Sequence, residues 1–560
     1  MPAREHVNVL AKLVGRLPGP VLAVILCATL IRFALAFQGQ YLFPDESRYD
    51  RALDFWEATA NLEPARAVTG LFKAKARPGA IVLYLPVALV QWVVMKAGGL
   101  THIETSWIPS LFTALIALLN AILFWHLSLR VTASTAASTV ATLIYSLCAP
   151  SLYYSQFLLP YVAAQTLFIG SLLCLPGKHQ REQGSRRFLL SGFLFGLTLA
   201  TYPGYYDQSF VFGVLALAFW STFSLRDLPK MVLAPLGTVA VLACFELLSW
   251  LGWGPTYIES LVALKTTMSS SAGFGEHSEI WCYPAIFLWN SDCVLSVLLL
   301  SGLTFAIVAC LKLSQPARAP RYLLAGVAIW YTSKLIEAAT ESQLLFGRLV
   351  FQILPSLCLL SGFGWLFVFG QTIRRRHVLA GASVVLCSWA CWNISPFFRA
   401  TIPSRFQQEH VDSNPDYWVS AYVTSAVGTS MMNESYQELD KRLIRMRNSK
   451  PDATTPVVLV NVPVMQPASG ILKPEIPSEQ ILAAGWHPYN IPAVLFDISY
   501  GPEARAAIRG YQLQVILLKS PPQHLLPEWC ERWGGHKYIP TFAVVADSDQ
   551  RHAARITKVR

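Results

Sequence analysis

Two adjacent acids, Asp45 and Glu46, are the residues best suited to chemistry. They lie in a polar stretch of forty residues, 38–77, that follows the first apolar run. The stretch holds six acids (Asp45, Glu46, Asp50, Asp54, Glu57, Glu63) and six bases (Arg48, Arg51, Arg66, Lys73, Lys75, Arg77). A carboxylate at the mouth of a helical bundle can take a proton from an attacking hydroxyl. It can also hold a hard divalent cation such as Mg or Mn through oxygen ligands. The plain alternative is an acidic turn that caps the helix after it. Tyr49, Ala52, Leu53, Trp56 and Ala60 recur at helical spacing, which predicts an amphipathic helix at a membrane surface. A connection of this length inside a compact bundle tends to carry function.

Long apolar helices must position these groups. The chain is 54% hydrophobic and 14% charged, with mean hydropathy +0.42. That composition excludes a disordered, collagen-like or disulfide-scaffold protein and an ordinary soluble enzyme. Apolar runs recur near 21–37, 79–97, 107–128, 133–150, 156–176, 188–204, 209–224, 230–252, 293–311, 322–338, 346–370 and 377–394. Each approaches the ~20 residues a helix needs to cross a bilayer. Bases cluster at 178–187, 226–230, 312–321 and 374–376, which the positive-inside rule assigns to the cytoplasm. Residues 1–19 are then cytoplasmic, and 202–207, 254–280, 337–346 and everything after 394 face outward. Twelve crossings would put the C-terminus inside, so the parity fails by one. Thirteen spans, or eleven if one run between 79 and 156 does not cross, restore it. Gly192 and Gly196 form a GxxxG pair suited to close helix packing.

Residues 395–560 differ in kind. Short β-like runs at 457–460, 493–496, 515–518 and 542–545 alternate with helix-like stretches at 434–447 and 502–510. They predict a small α/β extracytoplasmic domain. The expected class is thus a polytopic α-helical membrane protein of about 11–13 spans, residues 20–394, with that domain attached. The eleven cysteines include no CxxC pair, so zinc or thioredoxin chemistry has no support.

Three more outward segments carry candidates. Asp207 closes Tyr202-Pro203-Gly204-Tyr205-Tyr206, a composition suited to sugar stacking, and equally suited to capping the next helix. Glu276 and His277 follow Gly273-Phe274-Gly275, where they offer an acceptor or metal contact or are simply solvated. Glu337 and Glu341 flank the end of an apolar run, where buried acids are costly without partners.

Four stretches carry a family resemblance. Phe43-Pro44-Asp45-Glu46-Ser47-Arg48-Tyr49 resembles the "PDE-x-x-Y" signature of the GT-C membrane glycosyltransferases, specifically protein O-mannosyltransferases and lipid A aminoarabinose transferases. Lys75-Ala76-Arg77-Pro78 is similar to the family's "K-P-P" helix entry. The stretch from Pro150 to Pro160, with Tyr154, Gln156 and Leu159, is similar to its "SPLxxxYSRxxLPE" segment. Phe346-Gly347-Arg348-Leu349 opens a helix that resembles its late "RYxLPxLP" start. The resemblance covers about residues 20–395.

It implies a sugar transfer from a polyprenyl-phosphate carrier to a lipid, glycan or protein acceptor on the outer side, with inversion. Asp45 would be the base and Glu46 a second carboxylate or metal partner. Arg77 stands where the family has lysine and would bind the carrier phosphate, with Lys75 beside it and Arg348 joining from the late helix. Tyr49, Tyr154, Gln156, Tyr161, Tyr202, Asp207, Glu276, His277 and Glu341 would line the substrate site. Two departures stand out: Tyr161 occupies the place of a family acid, and Leu349 that of a family tyrosine. A metal is left open.

The alternatives are a transporter or flippase for lipid-linked sugars and an oligosaccharide polymerase or ligase with a diphosphate donor. The basic excess does not indicate nucleic acid. The N-terminus and the four cytoplasmic clusters hold 15 bases against Glu5, Glu182 and Asp227, so the charge is topological. The implied location is the bacterial inner or plasma membrane, in contact with membrane lipid.

Overall fold

The computed structural model describes residues 17–36, 49–72, 77–100, 105, 107–155, 158–176, 184–219, 228–270, 284–285, 288–289, 292–312, 318–340, 347–373 and 376–399. The expected α/β domain lies outside the described residues. The helices are α1 (Gly19–Ala36), α2 (Asp50–Ala60), α3 (Pro64–Phe72), α4 (Pro78–Gly98), α5 (Trp107–Thr132), α6 (Thr135–Leu147), α7 (Ala149–Tyr154) and α8 (Pro160–Cys174). They continue with α9 (Gly184–Thr201), α10 (Gln208–Phe219), α11 (Leu228–Trp250), α12 (Tyr257–Ser270), α13 (Cys293–Lys312), α14 (Arg318–Ala339), α15 (Gly347–Ile373) and α16 (Arg376–Arg399). A 3-10 turn, Pro203–Asp207, links α9 to α10.

Each of the twelve apolar runs is mostly helical over its described residues. Among the described residues, seven helices are long and apolar enough to cross a membrane: α1, α4, α5, α11, α13, α15 and α16. The chain is a polytopic helical membrane protein. Two runs make shorter helices than their apolar length suggests. α6 stops at Leu147 because Cys148 turns extended, with Pro150 close behind. α8 begins only at Pro160, a residue pre-set for the first helical position.

The chain divides into two compact units. The first comprises 1–34, 51–89 and 111–394; the second comprises 35–50, 90–110 and 395–560. In the second, the Tyr49 hydroxyl donates to Gln91 Oε1 at 2.8 Å, and Gln91 Nε2 donates to Thr105 Oγ1 at 3.1 Å.

In the first unit, contacts fix the direction of each helix. The start of α1 (Val21, Ile25) packs on the later part of α5 (Ala121, Ile122, Trp125), so these helices run antiparallel. Arg130 near the end of α5 donates to the carbonyls of Leu172 and Leu173 at the end of α8, which satisfies acceptors the helix leaves open. α8 and α9 form a hairpin held by Ser191 Oγ donating to Ser171 O at 2.7 Å. Gly192 and Gly196 let α9 meet α11 in parallel. A Cβ on Gly192 would sit 1.8 Å from Ala234 O, and one on Gly196 2.9 Å from Thr238 O. The upper end of the unit therefore gathers the ends of α6, α9 and α14 and the starts of α8, α10 and α15.

α4 also starts at the upper end: a Cβ on its Gly79 would lie 2.7 Å from Ala200 C, at the end of α9. The run at 79–97 is long and apolar enough to cross.

α6 is buried almost throughout, and its hydroxyls turn back onto its own carbonyls (Thr139 to Thr135, Thr142 to Ser138, both 2.8 Å). Tyr145 on α6 donates to Asn120 Oδ1 at 2.5 Å and to Gln165, which ties α5, α6 and α8 together. In the predicted amphipathic helix, now α2, Ala52, Leu53 and Ala58 are buried and Trp56 Nε1 donates to Leu85 O at 2.8 Å.

Candidate functional site

The upper end holds a cluster built by three proline-defined helix starts. Pro78 opens α4, so Arg77 is its cap: the Arg77 carbonyl accepts from Ala80 N at 3.1 Å. Pro203 forces the residue before it out of helical geometry, so α9 ends at Thr201 and Tyr202 is extended (φ −148°, ψ 102°). Pro160 places Tyr161 in the first turn of α8.

These starts bring Arg77 over the Tyr202 ring, 4.8 Å from guanidinium carbon to centroid. The Tyr161 ring meets Tyr202 edge-on at 4.8 Å, and Tyr154 meets Tyr161 at 6.0 Å and Phe351 at 5.5 Å. A cation over a ring that has lost its water gains roughly 0.5–2 kcal/mol. The contact leaves the guanidinium edge open. Arg77 is 8% exposed, yet its Nε and Nη1 find no hydrogen-bond partner among the described residues. Buried donors of this kind cost about 1–3 kcal/mol each unless a partner arrives. A planar fork of N–H groups suits a phosphate or carboxylate.

Gln352 stands on the first turns of α15, and both its amide atoms are buried without a partner among the described residues. It reaches the cluster at Gly204. A Cβ there would lie 2.7 Å from Tyr202 Cε1 and 3.0 Å from Gln352 Nε2. Phe351, the preceding residue, is pinned from another helix: its carbonyl accepts from Gln165 Nε2 at 2.7 Å. Pro355, four residues on, has no N–H for that carbonyl.

A second group lies where the 203–207 turn meets α14. Lys334 Nζ pairs with Asp207 Oδ2 and with Glu337 Oε2 (2.7 Å), and the Tyr206 hydroxyl donates to Glu337. Burial pushes the Asp207 carboxyl above the usual carboxylate range, against the pull of Lys334. Asp207 is 1% exposed and held by a cation.

Of the residues singled out in the sequence, the structure brings Arg77, Tyr154, Tyr161 and Tyr202 together, and Asp207 belongs to the adjoining ion-pair group. Tyr49 is bonded to Gln91 within the second unit. Asp45, Glu46, Lys75, Gln156, Glu276, His277 and Glu341 lie outside the described residues, and Arg348 is placed on the first turn of α15 by its backbone alone. Among the described residues, no three His, Cys, Asp or Glu side chains stand close enough to hold a metal.

Three participants escaped the sequence reading. Arg32, inside α1, is 1% exposed and bonds only neutral acceptors among the described residues: Ser155 Oγ (3.0 Å), Ser151 Oγ (3.1 Å) and Ser146 O (3.4 Å). A lone charge in an apolar run was the available signal. Lys334 carried the same signal. Gln352 carried none.

No family model matches the chain, and no curated protein sequence does. Among solved structures, ArnT from Cupriavidus metallidurans, crystallised bound to undecaprenyl phosphate, is similar over 76% of this chain and 72% of its own. The identity is 17% and the TM-score 0.45. At that level of similarity the reading of the site rests on this chain's own residues.

Proposed function

We propose that the chain is a membrane glycosyltransferase that moves a sugar from a polyprenyl-phosphate carrier to an acceptor hydroxyl at the outer face. One observation carries the reading: a buried guanidinium with open donors, Arg77, on an aromatic wall at the end of the bundle. An anion seated there satisfies those donors, and a phosphate that is a leaving group accumulates charge as its bond to the sugar breaks. A fixed cation at that oxygen stabilises the transition state more than the ground state.

In the proposed step Asp45 takes the acceptor hydroxyl proton. The acceptor oxygen attacks the anomeric carbon from the side opposite the phosphate. The carbon–oxygen bond to phosphate breaks, and the carrier phosphate leaves with the electron pair, so the anomeric configuration inverts. Glu46, next in sequence, is assigned as second carboxylate or cation ligand, and Arg348, at the start of α15, as a further partner for the phosphate. Asp207, already committed to Lys334, braces the turn that bears Tyr202 and Gly204.

The same reading assigns eleven crossings. α4 returns to the side it left, and α1, α5, α6, α8, α9, α10, α11, α13, α14, α15 and α16 alternate. The N-terminus and all four basic clusters then face the cytoplasm, and the C-terminal residues face outward, in keeping with the positive-inside rule.

The test uses the full chain in proteoliposomes with polyprenyl-phosphate-linked sugars. Asp45→Asn is expected to abolish sugar transfer while polyprenyl-phosphate binding persists. Undiminished transfer by that variant refutes the assignment of Asp45. Carrier translocation without any transfer, equal in wild type and variant, identifies a transporter instead.

A further inference from the structure

From the same cluster we infer that Gln352, with Gly204 and Tyr202, seats the sugar ring of the donor. The inference rests on the reading of Arg77 as the phosphate anchor, and it concerns a different part of the same ligand. An amide offers a donor and an acceptor side by side. Phosphate oxygens only accept, and a polyprenyl chain does neither. A ligand that satisfies both atoms of Gln352 must carry hydroxyl or amino groups, as a sugar ring does. Gln352 is 1% exposed and its Oε1 and Nε2 are both open among the described residues, so a group that fits both is well rewarded.

The position agrees with the chemistry. Gln352 Nε2 and Tyr202 Cε1 lie 3.0 and 2.7 Å from the point a Cβ on Gly204 would occupy. Tyr202 in turn carries Arg77 on its ring at 4.8 Å. One residue without a side chain thus keeps the amide beside the ring that carries the phosphate anchor. Gln352 is also held rigidly, because Gln165 fixes the carbonyl of Phe351 next to it.

The experiment measures binding to the full chain in nanodiscs. The probes are bare undecaprenyl phosphate and the same carrier bearing mannose, glucose, galactose or arabinose. At least one glycosylated carrier is expected to bind wild type tighter than the bare carrier. Gln352→Leu is expected to bind bare carrier within twofold of wild type and to weaken that glycosylated carrier at least tenfold. Gly204→Ala is expected to weaken that glycosylated carrier more than the bare one, because its methyl strikes both the amide and the ring that carries Arg77. Binding of the bare carrier within twofold of wild type is the proof that Gln352→Leu folds. Equal losses for bare and glycosylated carriers, no loss for either, or no preference for any glycosylated carrier in wild type overturns the inference. Failure of the underlying reading looks different: bare carrier binds wild type and Arg77→Ala alike, or binds neither.

Discussion

Lys334→Met tests how the turn bearing Tyr202 is held. The lysine ammonium is 6% exposed and the Asp207 carboxylate 1%, so their attraction is little screened by water. Removing the cation leaves a buried carboxylate without its counter-charge, a change that costs about 3–5 kcal/mol, whereas replacing both partners with apolar groups is often neutral. Thermal unfolding followed by tryptophan fluorescence should show Lys334→Met several degrees below wild type near pH 7.5. Asp207→Leu combined with Lys334→Met should regain part of that loss, the remainder reflecting Glu337, which also loses its lysine. The pH dependence has a defined sign. Burial already raises the Asp207 carboxyl, and without Lys334 it rises further. The folded variant then binds a proton that the unfolded chain, with a carboxyl near 3.9, does not hold, so its stability grows as pH falls toward that value. A single variant that melts like wild type, or whose deficit is the same from about pH 5 to 8, refutes the argument that Lys334 neutralises Asp207.

Arg77→Ala should weaken polyprenyl-phosphate binding at least tenfold. Arg77→Lys should recover only part of it, since an ammonium keeps the charge but loses the fork and the stacking on Tyr202; isothermal titration in detergent reads both. Arg32→Met removes a charge bonded only to neutral groups and fills the same space. Its melting temperature should match or exceed that of wild type while kcat for transfer falls, because the segment at 150–155 loses its anchor. Gly192→Ala should destabilise the protein by about 1–3 kcal/mol, as its methyl would strike the Ala234 carbonyl, whereas Gly213→Ala, in open space on α10, should be neutral; thermal melts of the pair compare them directly.

The helices were legible because apolar length reports local physics. All twelve runs are mostly helical over their described residues, and the Gly192–Gly196 spacing marks a real close contact. Hydropathy measures whether a helix such as α4 can span a bilayer, while its course depends on what it packs against, here the end of α9. The site was legible in part. Arg77, Tyr154, Tyr161 and Tyr202 sit beside prolines whose backbone effects are local. The partner of Asp207 is more than a hundred residues away on α14, and no pattern near Asp207 announces it. Gln352 is ordinary in sequence and becomes notable only through its burial beside Gly204.

Pro355 gives α15 an unusual mechanical property. A helix normally fastens each turn to the next, but the Phe351 carbonyl is fastened to α8 instead, through Gln165. The opening turns of α15 are therefore tied to a neighbouring helix as well as to the rest of their own. Gln165 also shares its carboxamide oxygen with Tyr145, so a change on α6 can be felt at Gln352 without touching α15. Deuterium uptake in the opening turns of α15 should rise in Gln165→Leu while the remainder of that helix stays protected, which would reveal the proline as a pivot whose lock sits on another helix.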